Sequence, residues 1–317
     1  MRELVWADDL TGTRADAVLA LLLAARRTDG RPDVEPEGPL PGEFRGPHHL
    51  LCYVDSGAGD STTDDRATGA VLVAYGHLDA AGDAFGRRVA ELVVHPDHRR
   101  RGHGAAMMDA LIAQVPSGLR VWAHGDHPAA ARLAQRHAMT RARELLVMRA
   151  ESARQKWPEP RLPEGVRLRT FVPGRDERAM VEVNARAFHW HPEQAAFDVA
   201  QLTGAEREDW FDPDGFFLAE NTEGELVGFH WTKIHPANPH RFGGTPVGEV
   251  YVVGVDPAAQ GGGLGRALTL AGLRYLRGRG LDQVKLYVEG DNAPAVAVYR
   301  ALGFDTVETD VQYSLGG

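Results

Sequence analysis

A short cassette occurs twice in this chain, and its recurrence constrains the fold more than any other feature: Arg99-Arg100-Arg101-Gly102-His103-Gly104 and Gln260-Gly261-Gly262-Gly263-Leu264-Gly265. Each copy follows an apolar, strand-like run that ends in proline, Leu92-Val93-Val94-His95-Pro96 in the first and Val253-Gly254-Val255-Asp256-Pro257 in the second, and each opens a helix-like run. Glycine lets a backbone approach a ligand closely, and the unpaired N–H groups at a helix start point toward negative charge. Strand, cassette and helix in this order predict an anion cradle of pyrophosphate size, built twice.

The two copies sit in two similar halves. Between them, Lys156-Trp157-Pro158-Glu159-Pro160-Arg161-Leu162-Pro163-Glu164-Gly165 carries three prolines, which favour an extended connector. The sequence thus reads as a first domain over 1–150, a linker over 151–165 and a second domain over 166–317. In the first half, periodicity predicts a helix over 14–27, strands over 50–54, 71–75 and 89–94, a helix over 102–115, a strand over 119–123 and a helix over 128–137. The stretch 55–68, rich in Gly, Ser, Thr and Asp, reads as a loop. The second half repeats the order, with a strand over 166–170, a helix over 176–188, and strands over 216–220, 226–233 and 249–255. A helix over 263–279, a strand over 283–289, a helix over 293–301 and a strand over 309–315 complete it. Pro96 aligns with Pro257, Arg99 with Gln260 and Gly102 with Gly263, so the fold expected is a duplicated α/β domain; the repeat is too long for a solenoid unit.

Composition narrows the function classes. At 317 residues and 43% hydrophobic, the chain can bury two sizeable cores. Its only cysteine, Cys52, excludes an intramolecular disulfide and any cysteine-based zinc cluster, and points to a reducing cytoplasm. The formal net charge of −9 argues against general nucleic-acid binding, with the arginines at 99–101 and 277–279 as local clusters. The amino-terminal residues show no apolar leader, and no stretch is long enough to span a bilayer. His48-His49, His95, His98, His124 and His127 lack the spacing of a ligand set, so no metal is expected. The chain is expected to act on a small molecule as a monomer.

A dinucleotide fold requires Gly-x-Gly-x-x-Gly with an acidic residue about 20 positions on, and a P-loop requires Gly-Lys-Ser/Thr. Neither copy has these. Each has Arg/Gln-x-x-Gly-x-Gly, and the second adds Val255-Asp256-Pro257 before it and Asn292-x-x-Ala295-x-x-x-Tyr299-x-x-x-Gly303-Phe304 after it. On these residues the chain resembles the GNAT family of N-acetyltransferases. The resemblance implies two tandem GNAT-type domains, each a mixed, mainly antiparallel sheet with flanking helices, and acetyl-CoA as acetyl donor. It also implies that the strand before the cassette splays from its neighbour, with pantetheine in the gap on Val253, Gly254 and Val255. The pyrophosphate would lie on Gln260, Gly261, Gly262, Gly263, Leu264, Gly265 and Arg266. Asn292, Ala293, Pro294, Ala295, Val296 and Ala297 would lie near the pantetheine arm and adenosine end. The corresponding first-half residues are Leu92, Val93 and Val94, then Arg99, Arg100, Arg101, Gly102, His103 and Gly104.

Acetyl transfer to an amine needs a base for the amine proton, donors for the developing oxyanion and an acid for the leaving thiolate. The repeat offset sets Glu249 against Arg88 and Tyr251 against Ala90, while the shared Gly125-Asp126 and Gly290-Asp291 set Tyr299 against Ala134. The second half therefore offers Glu249 as base and Tyr299 as acid. The first half lacks both and is expected to be non-catalytic, whether or not it binds acetyl-CoA. Taken alone, Glu249 reads as a solvated strand end and Tyr299 as packing beside Val296 and Leu302. The resemblance decides for chemistry, because Tyr299 falls on the family's thiolate-protonating position and Glu249 precedes the pantetheine strand.

The likeness narrows through His189-Trp190-His191-Pro192-Glu193-Gln194, Trp210-Phe211-Asp212-Pro213-Asp214-Gly215, Gly228-Phe229-His230-Trp231-Thr232-Lys233 and Gly248-Glu249-Val250-Tyr251-Val252, with Ala90-Glu91-Leu92 and Trp122-Ala123-His124-Gly125 in the first half. These are similar to the tandem-domain branch of the family that acetylates the cysteinyl amine of cysteinyl-glucosaminyl-inositol, giving mycothiol. That similarity implies an acceptor site of Glu193, Lys233, Glu249 and Tyr287, with a first-half carboxylate for which Glu35 and Glu37 both qualify. Two other readings fit the same motifs: a tandem acetyltransferase for another amine, such as an aminoglycoside or a protein N-terminus, and a non-catalytic acetyl-CoA sensor. The joint presence of Glu249 and Tyr299 favours an enzyme.

Overall fold

The computed structural model of the protein describes residues 1–37, 39–55, 64–65, 70–82, 86–191, 197–239 and 242–316. Most of the loop read over 55–68 lies outside them. The chain forms two compact units, Met1–Glu144 with Asp310–Gly317, and Leu145–Thr309.

The first unit contains β1 (Arg2–Ala7), α1 (Thr13–Asp29), β2 (His49–Asp55), the two-residue β3 (Asp64–Asp65), β4 (Ala70–Asp79), β5 (Arg88–Val94), α2 (His103–Gln114), β6 (Leu119–Ala123) and α3 (Pro128–Arg136). β1, β2, β4 and β5 pair antiparallel, and β5 pairs parallel with β6. Consecutive residues of a strand face opposite sides, so Leu51 and Leu72 join Val18, Leu21 and Leu22 of α1, whereas Leu50 and Val73 join Met107, Met108 and Leu111 of α2. Both faces are covered, which is why these strands read as apolar runs.

The second unit repeats the plan. After β7 (Thr140–Glu151), it runs β8 (Arg167–Thr170), α4 (Glu177–Ala187), α5 (Val199–Ala205), β9 (Phe216–Glu220), β10 (Leu226–His235), β11 (Val247–Val255), α6 (Leu264–Gly278), β12 (Gln283–Glu289), α7 (Ala293–Ala301) and β13 (Asp305–Ser314). α4 and α5 bury Met180, Val183 and Leu202 against Phe216, Leu218, Phe229 and Trp231. On the other face α6 buries Leu264, Leu268, Leu270, Leu273 and Leu276, each worth about 1.5–3 kcal/mol relative to exposure. That helix lies very close to β10. A Cβ on Gly272 would stand 2.1 Å from the His230 ring, whose Nδ1 donates to the Leu268 carbonyl at 2.7 Å.

The units divide at Glu144/Leu145 and Thr309/Asp310, not within the proline-rich stretch. Residues 145–151 of β7 pair with β12 in the second unit, and Val311–Ser314 of β13 pair with β6 in the first. β7 is a strand the sequence reading does not contain, as are β1 and the helix α5. The proline-rich stretch is extended, as expected, but it is docked on the second unit rather than free. Trp157 is buried, donates its indole N–H to the Leu302 carbonyl at 2.9 Å, and lies under the Arg277 guanidinium.

Candidate active site

The parallel ladder between β11 and β12 has three rungs, Gly248↔Val284, Glu249↔Lys285 and Val250↔Leu286, and then stops. Both strands continue, to Val255 and to Glu289. Just past the last rung β11 is irregular. Its register with β10 shifts between Trp231 and Thr232, which face Val252 and Val250, so Tyr251 is an extra residue. A bulge of this kind bends and twists its strand. Past the last rung no β12 pairing reaches Val253, Gly254 and Val255, the residues where the resemblance implies a gap.

In the first unit the β5–β6 ladder also stops after three rungs, at Ala90↔Val121, but β5 pairs with β4 without a shift. The bulge therefore changes the alignment of the halves. Glu249 faces Lys233 and Lys285, and the residue in that place in the first unit, facing Asp79 and Arg120, is Val89 rather than Arg88. Tyr251 has no counterpart. A constant offset misses this because it spreads one inserted residue over the whole strand. Val89 carries no ionisable group, so the first unit still has no base at this position.

Beyond β11, the Asp256 carboxylate accepts from Ala258 N at 2.9 Å and starts the turn Pro257–Ala259, while the Gln260 side-chain amide donates to the Val255 carbonyl at 3.3 Å. Gly261 and Gly263 then take φ of +90° and +83°, which glycine adopts without strain, and α6 begins. A Cβ on either would meet nothing within 4 Å. The cradle is open, and it presents the unpaired N–H groups of the helix start, so its residues fit a pyrophosphate.

The first cassette has the same backbone, with positive φ at Arg100 and Gly102, and Arg99 Nε donates to the Val94 carbonyl at 3.1 Å as Gln260 does to Val255. Its surroundings differ. The rest of the Arg99 guanidinium is paired with Asp29. Arg2 Nη2 donates to the Arg101 carbonyl at 3.0 Å, Arg2 Nε lies 3.2 Å from His103 Nδ1, and Arg2 Nη2 is 3.4 Å from where a Gly102 Cβ would be. Arginines of the chain itself crowd this cradle.

Lys233, Glu249 and Lys285 occupy one rung across β10, β11 and β12, so their side chains stand side by side on one face. Glu249 is 4% exposed. Its Oε2 is bonded by His235 Nε2 and lies 3.5 Å from Lys285 Nζ. No hydrogen bond reaches Oε1 among the described residues. Burial raises the Glu249 carboxyl, but Lys285, His235 and Lys233 outweigh it and hold the group below the ordinary carboxylate range. Lys285, also 4% exposed, donates to Tyr287 Oη at 3.4 Å. Lys233 Nζ lies 4.0 Å from the Trp210 ring centroid and 5.2 Å from that of Tyr251.

Tyr299 belongs to the opposite face. It packs in the cluster that contains Val250 and Val253, with its ring 6.0 Å from Phe304, and burial pushes its phenol up to about 12. The phenol therefore keeps its proton at neutral pH. Asn292 caps α7 by accepting from Ala295 N at 3.2 Å. Ala134, set against Tyr299 in the repeat, is buried in the first unit.

The structure thus brings together Lys233, Glu249 and Tyr287 of the expected acceptor residues. Glu193 lies outside the described residues. In the first unit, Glu35 is tied to Arg26 at 3.1 Å and Glu37 is exposed. Sequence reasoning missed His235 and Lys285. His235 lies two residues past Lys233, hence on its face, and Lys285 interrupts an apolar strand between Val284 and Leu286; both signals are present in the sequence.

The first unit has its own charged cluster, formed by Glu91 of β5, His124 just past β6 and Asp310 of β13. His124 meets Glu91 at 3.2 Å and Asp310 at 3.3 Å, and Asp310 also takes Arg31 at 3.0 Å and Gly125 N at 2.8 Å. Burial works against the imidazolium, but the two carboxylates push His124 up to about 10. These charges are mutually satisfied. Among the described residues no group of three or more His, Cys, Asp or Glu could hold a metal ion, and no helix is long and apolar enough to cross a membrane.

The sequence model of the acetyltransferase (GNAT) family matches residues 33–139 and 179–304. A mycothiol acetyltransferase of Saccharomonospora viridis is 70% identical over 316 residues, covering 100% of both chains. One from Amycolatopsis mediterranei is 58% identical, covering 97% of both. Among solved structures, a GCN5-related N-acetyltransferase from Sphaerobacter thermophilus superposes with a TM-score of 0.67 at 23% identity, covering 99% of this chain and 97% of that one. A tandem GNAT protein from the clavulanic acid pathway gives 0.64 at 20% identity, covering 99% and 98%. At these identities the two structures establish the fold, two GNAT domains in tandem.

Proposed function

This chain belongs to the GNAT family of acetyltransferases, and from that premise we propose that it carries out the mycothiol-forming step, moving acetyl from acetyl-CoA to the cysteinyl amine of cysteinyl-glucosaminyl-inositol in its second unit. The observation that carries the reading is Glu249: a buried, ionised carboxylate with one oxygen that no hydrogen bond reaches among the described residues, one rung before the last pair ahead of the gap. The curated relatives, named for mycothiol, support the choice of acceptor over an aminoglycoside or a peptide amine.

The open cradle Gln260–Gly263 and the helix start at Leu264–Arg266 hold the pyrophosphate, and the unpaired edge Val253–Val255 holds the pantetheine. Bound there, acetyl-CoA supplies the acetyl group as a thioester. Glu249 Oε1 attracts the cysteinyl ammonium and takes the proton that the amine must lose, directly or through water. With an α-amine pKa of about 8, a modest fraction of acceptor is already neutral at pH 7, so the carboxylate need not be a strong base. Tyr299, from the other face, gives its proton to the departing sulfur. Lys233 and Tyr287 bind acceptor hydroxyls, which would cost affinity if left unpaired in a cleft. The first unit, with Val89 and Ala134 in place of base and acid, does no chemistry; whether its crowded cassette admits acetyl-CoA is a separate matter of affinity. The enzyme acts as a cytoplasmic monomer.

Two variants test the roles. Tyr299→Phe should keep the packed ring and acetyl-CoA binding while lowering kcat about 10²-fold, in single-turnover measurements where chemistry limits the rate. An unchanged rate would remove Tyr299 from the mechanism. Lys233→Ala should raise the acceptor KM more than it lowers kcat, because it removes binding common to ground and transition states. A kcat loss with unchanged KM would place Lys233 in the chemistry instead.

A further inference from the structure

The Glu249 carboxylate is the group on which the proposed reaction turns, and what holds it is not part of that reading. Directly opposite it on the β12 side of the ladder is Lys285, buried to the same degree, with Nζ 3.5 Å from Oε2. A buried lysine is held there only when it is paired, because an uncompensated ammonium in that setting is strongly unfavourable. The same ammonium lies 3.4 Å from Tyr287 Oη and 5.7 Å from the centroid of Phe242, so it joins the base to an expected acceptor contact. His235 takes the other approach to Oε2. Both partners thus converge on one carboxylate oxygen, and among the described residues no hydrogen bond reaches Oε1. In the first unit the corresponding rung pairs Val89 with Arg120, so the carboxylate of this rung is replaced there by a valine.

We infer that Lys285 is a positioning residue for acetyl transfer: its ammonium fixes Glu249 Oε2, so that Oε1 is the atom presented to the acceptor amine. This rests on Glu249 being the base. In the step itself an ammonium N–H bond breaks and an O–H bond forms on Oε1; the freed nitrogen lone pair attacks the thioester carbon, and a C–N bond forms as the C–S bond breaks. The sulfur leaves with the Tyr299 proton, nitrogen's second proton restores Tyr299 through water, and the proton on Oε1 passes to water. Lys285 gains and loses nothing. The groups facing Glu249 are Lys233 and His235 from β10, Lys285 and Tyr287 from β12, and Tyr251 of its own strand. Without the Lys285 charge, burial is less strongly opposed and the carboxyl rises.

The test compares Lys285→Met and Lys285→Arg by CoA release from saturating acetyl-CoA across pH. Lys285→Met should lower kcat about tenfold or more and move its acid limb to higher pH by about a unit, with the acetyl-CoA KM unchanged, and Lys285→Arg should restore most of both. A purely structural lysine would not move the limb. A folded Lys285→Met with the wild-type limb overturns the inference, as does a loss of rate that Arg rescues without any shift. If the Met variant does not fold, the wild-type enzyme decides. With 13C-carboxyl glutamate, the Glu249 resonance, assigned by its loss in Glu249→Gln, should stay ionised to below the ordinary glutamate range; titration at or above that range overturns the inference. Failure of the wild type to release CoA with the pseudodisaccharide would count against the proposed function alone, since the carboxyl titration does not depend on the acceptor.

Discussion

Gly263→Trp should abolish acetyl transfer, while Gly102→Trp leaves the chemical step intact. The two positions make a matched pair. Each is the residue before its helix, at φ of +83° and +81°, so each substitution carries a similar backbone strain of about 1–2 kcal/mol. The difference lies in what the indole would fill. At Gly263 the space beyond a Cβ is open, and a large side chain there occupies the proposed pyrophosphate cradle. At Gly102 the indole would displace Arg2, in a unit that has neither base nor acid. Single-turnover rates of the two folded variants at saturating acetyl-CoA check this. Comparable residual rates would mean that the halves share catalysis.

The second large effect is that of Glu249→Gln, expected to cost about 10²–10⁴ in kcat at neutral pH and to raise the acceptor KM. The amide can still accept from His235 and Lys285, but it neither takes a proton nor attracts an ammonium. Raising the pH toward and past the amine pKa of about 8 should therefore recover part of the rate, by supplying neutral acceptor. The buried Lys285 ammonium loses its counter-charge in this variant, so its melting temperature belongs beside the kinetics. A wild-type pH profile and acceptor KM would overturn both the base assignment and the placement of the amine.

Much of this architecture is legible in the sequence, for identifiable reasons. The strand–cassette–helix unit can be read because its determinants are local: apolar runs, a proline, glycines where φ must be positive. β12 and α7 carry clear apolar patterns and fall where periodicity puts them. β7 escapes because its second part completes the sheet of the other half, a long-range pairing with no local mark, and the unit boundary moves with it. The bulge at Tyr251 escapes for a related reason. An insertion of one residue is silent in composition, and only the register against β10 and β12 reveals that Glu249 answers to Val89. Glu249 could be picked out by its place before the cassette, and His235 and Lys285 leave marks of their own, but the convergence of the three could not be read, because they come from three strands and meet only in the folded sheet.

The central claim is that the second unit acetylates the amine of a cysteinylated glucosaminyl-inositol. Its most direct test is CoA release by the purified chain with acetyl-CoA and cysteinyl-glucosaminyl-inositol, run beside an aminoglycoside and a peptide with a free N-terminus, with the product examined by mass spectrometry before and after thiol alkylation. Rapid CoA release with the pseudodisaccharide alone, and a product acetylated on nitrogen with its thiol still open to alkylation, is the predicted result. Turnover of the aminoglycoside or peptide with none of the pseudodisaccharide, or acetyl-CoA binding without CoA release from any amine, would contradict it.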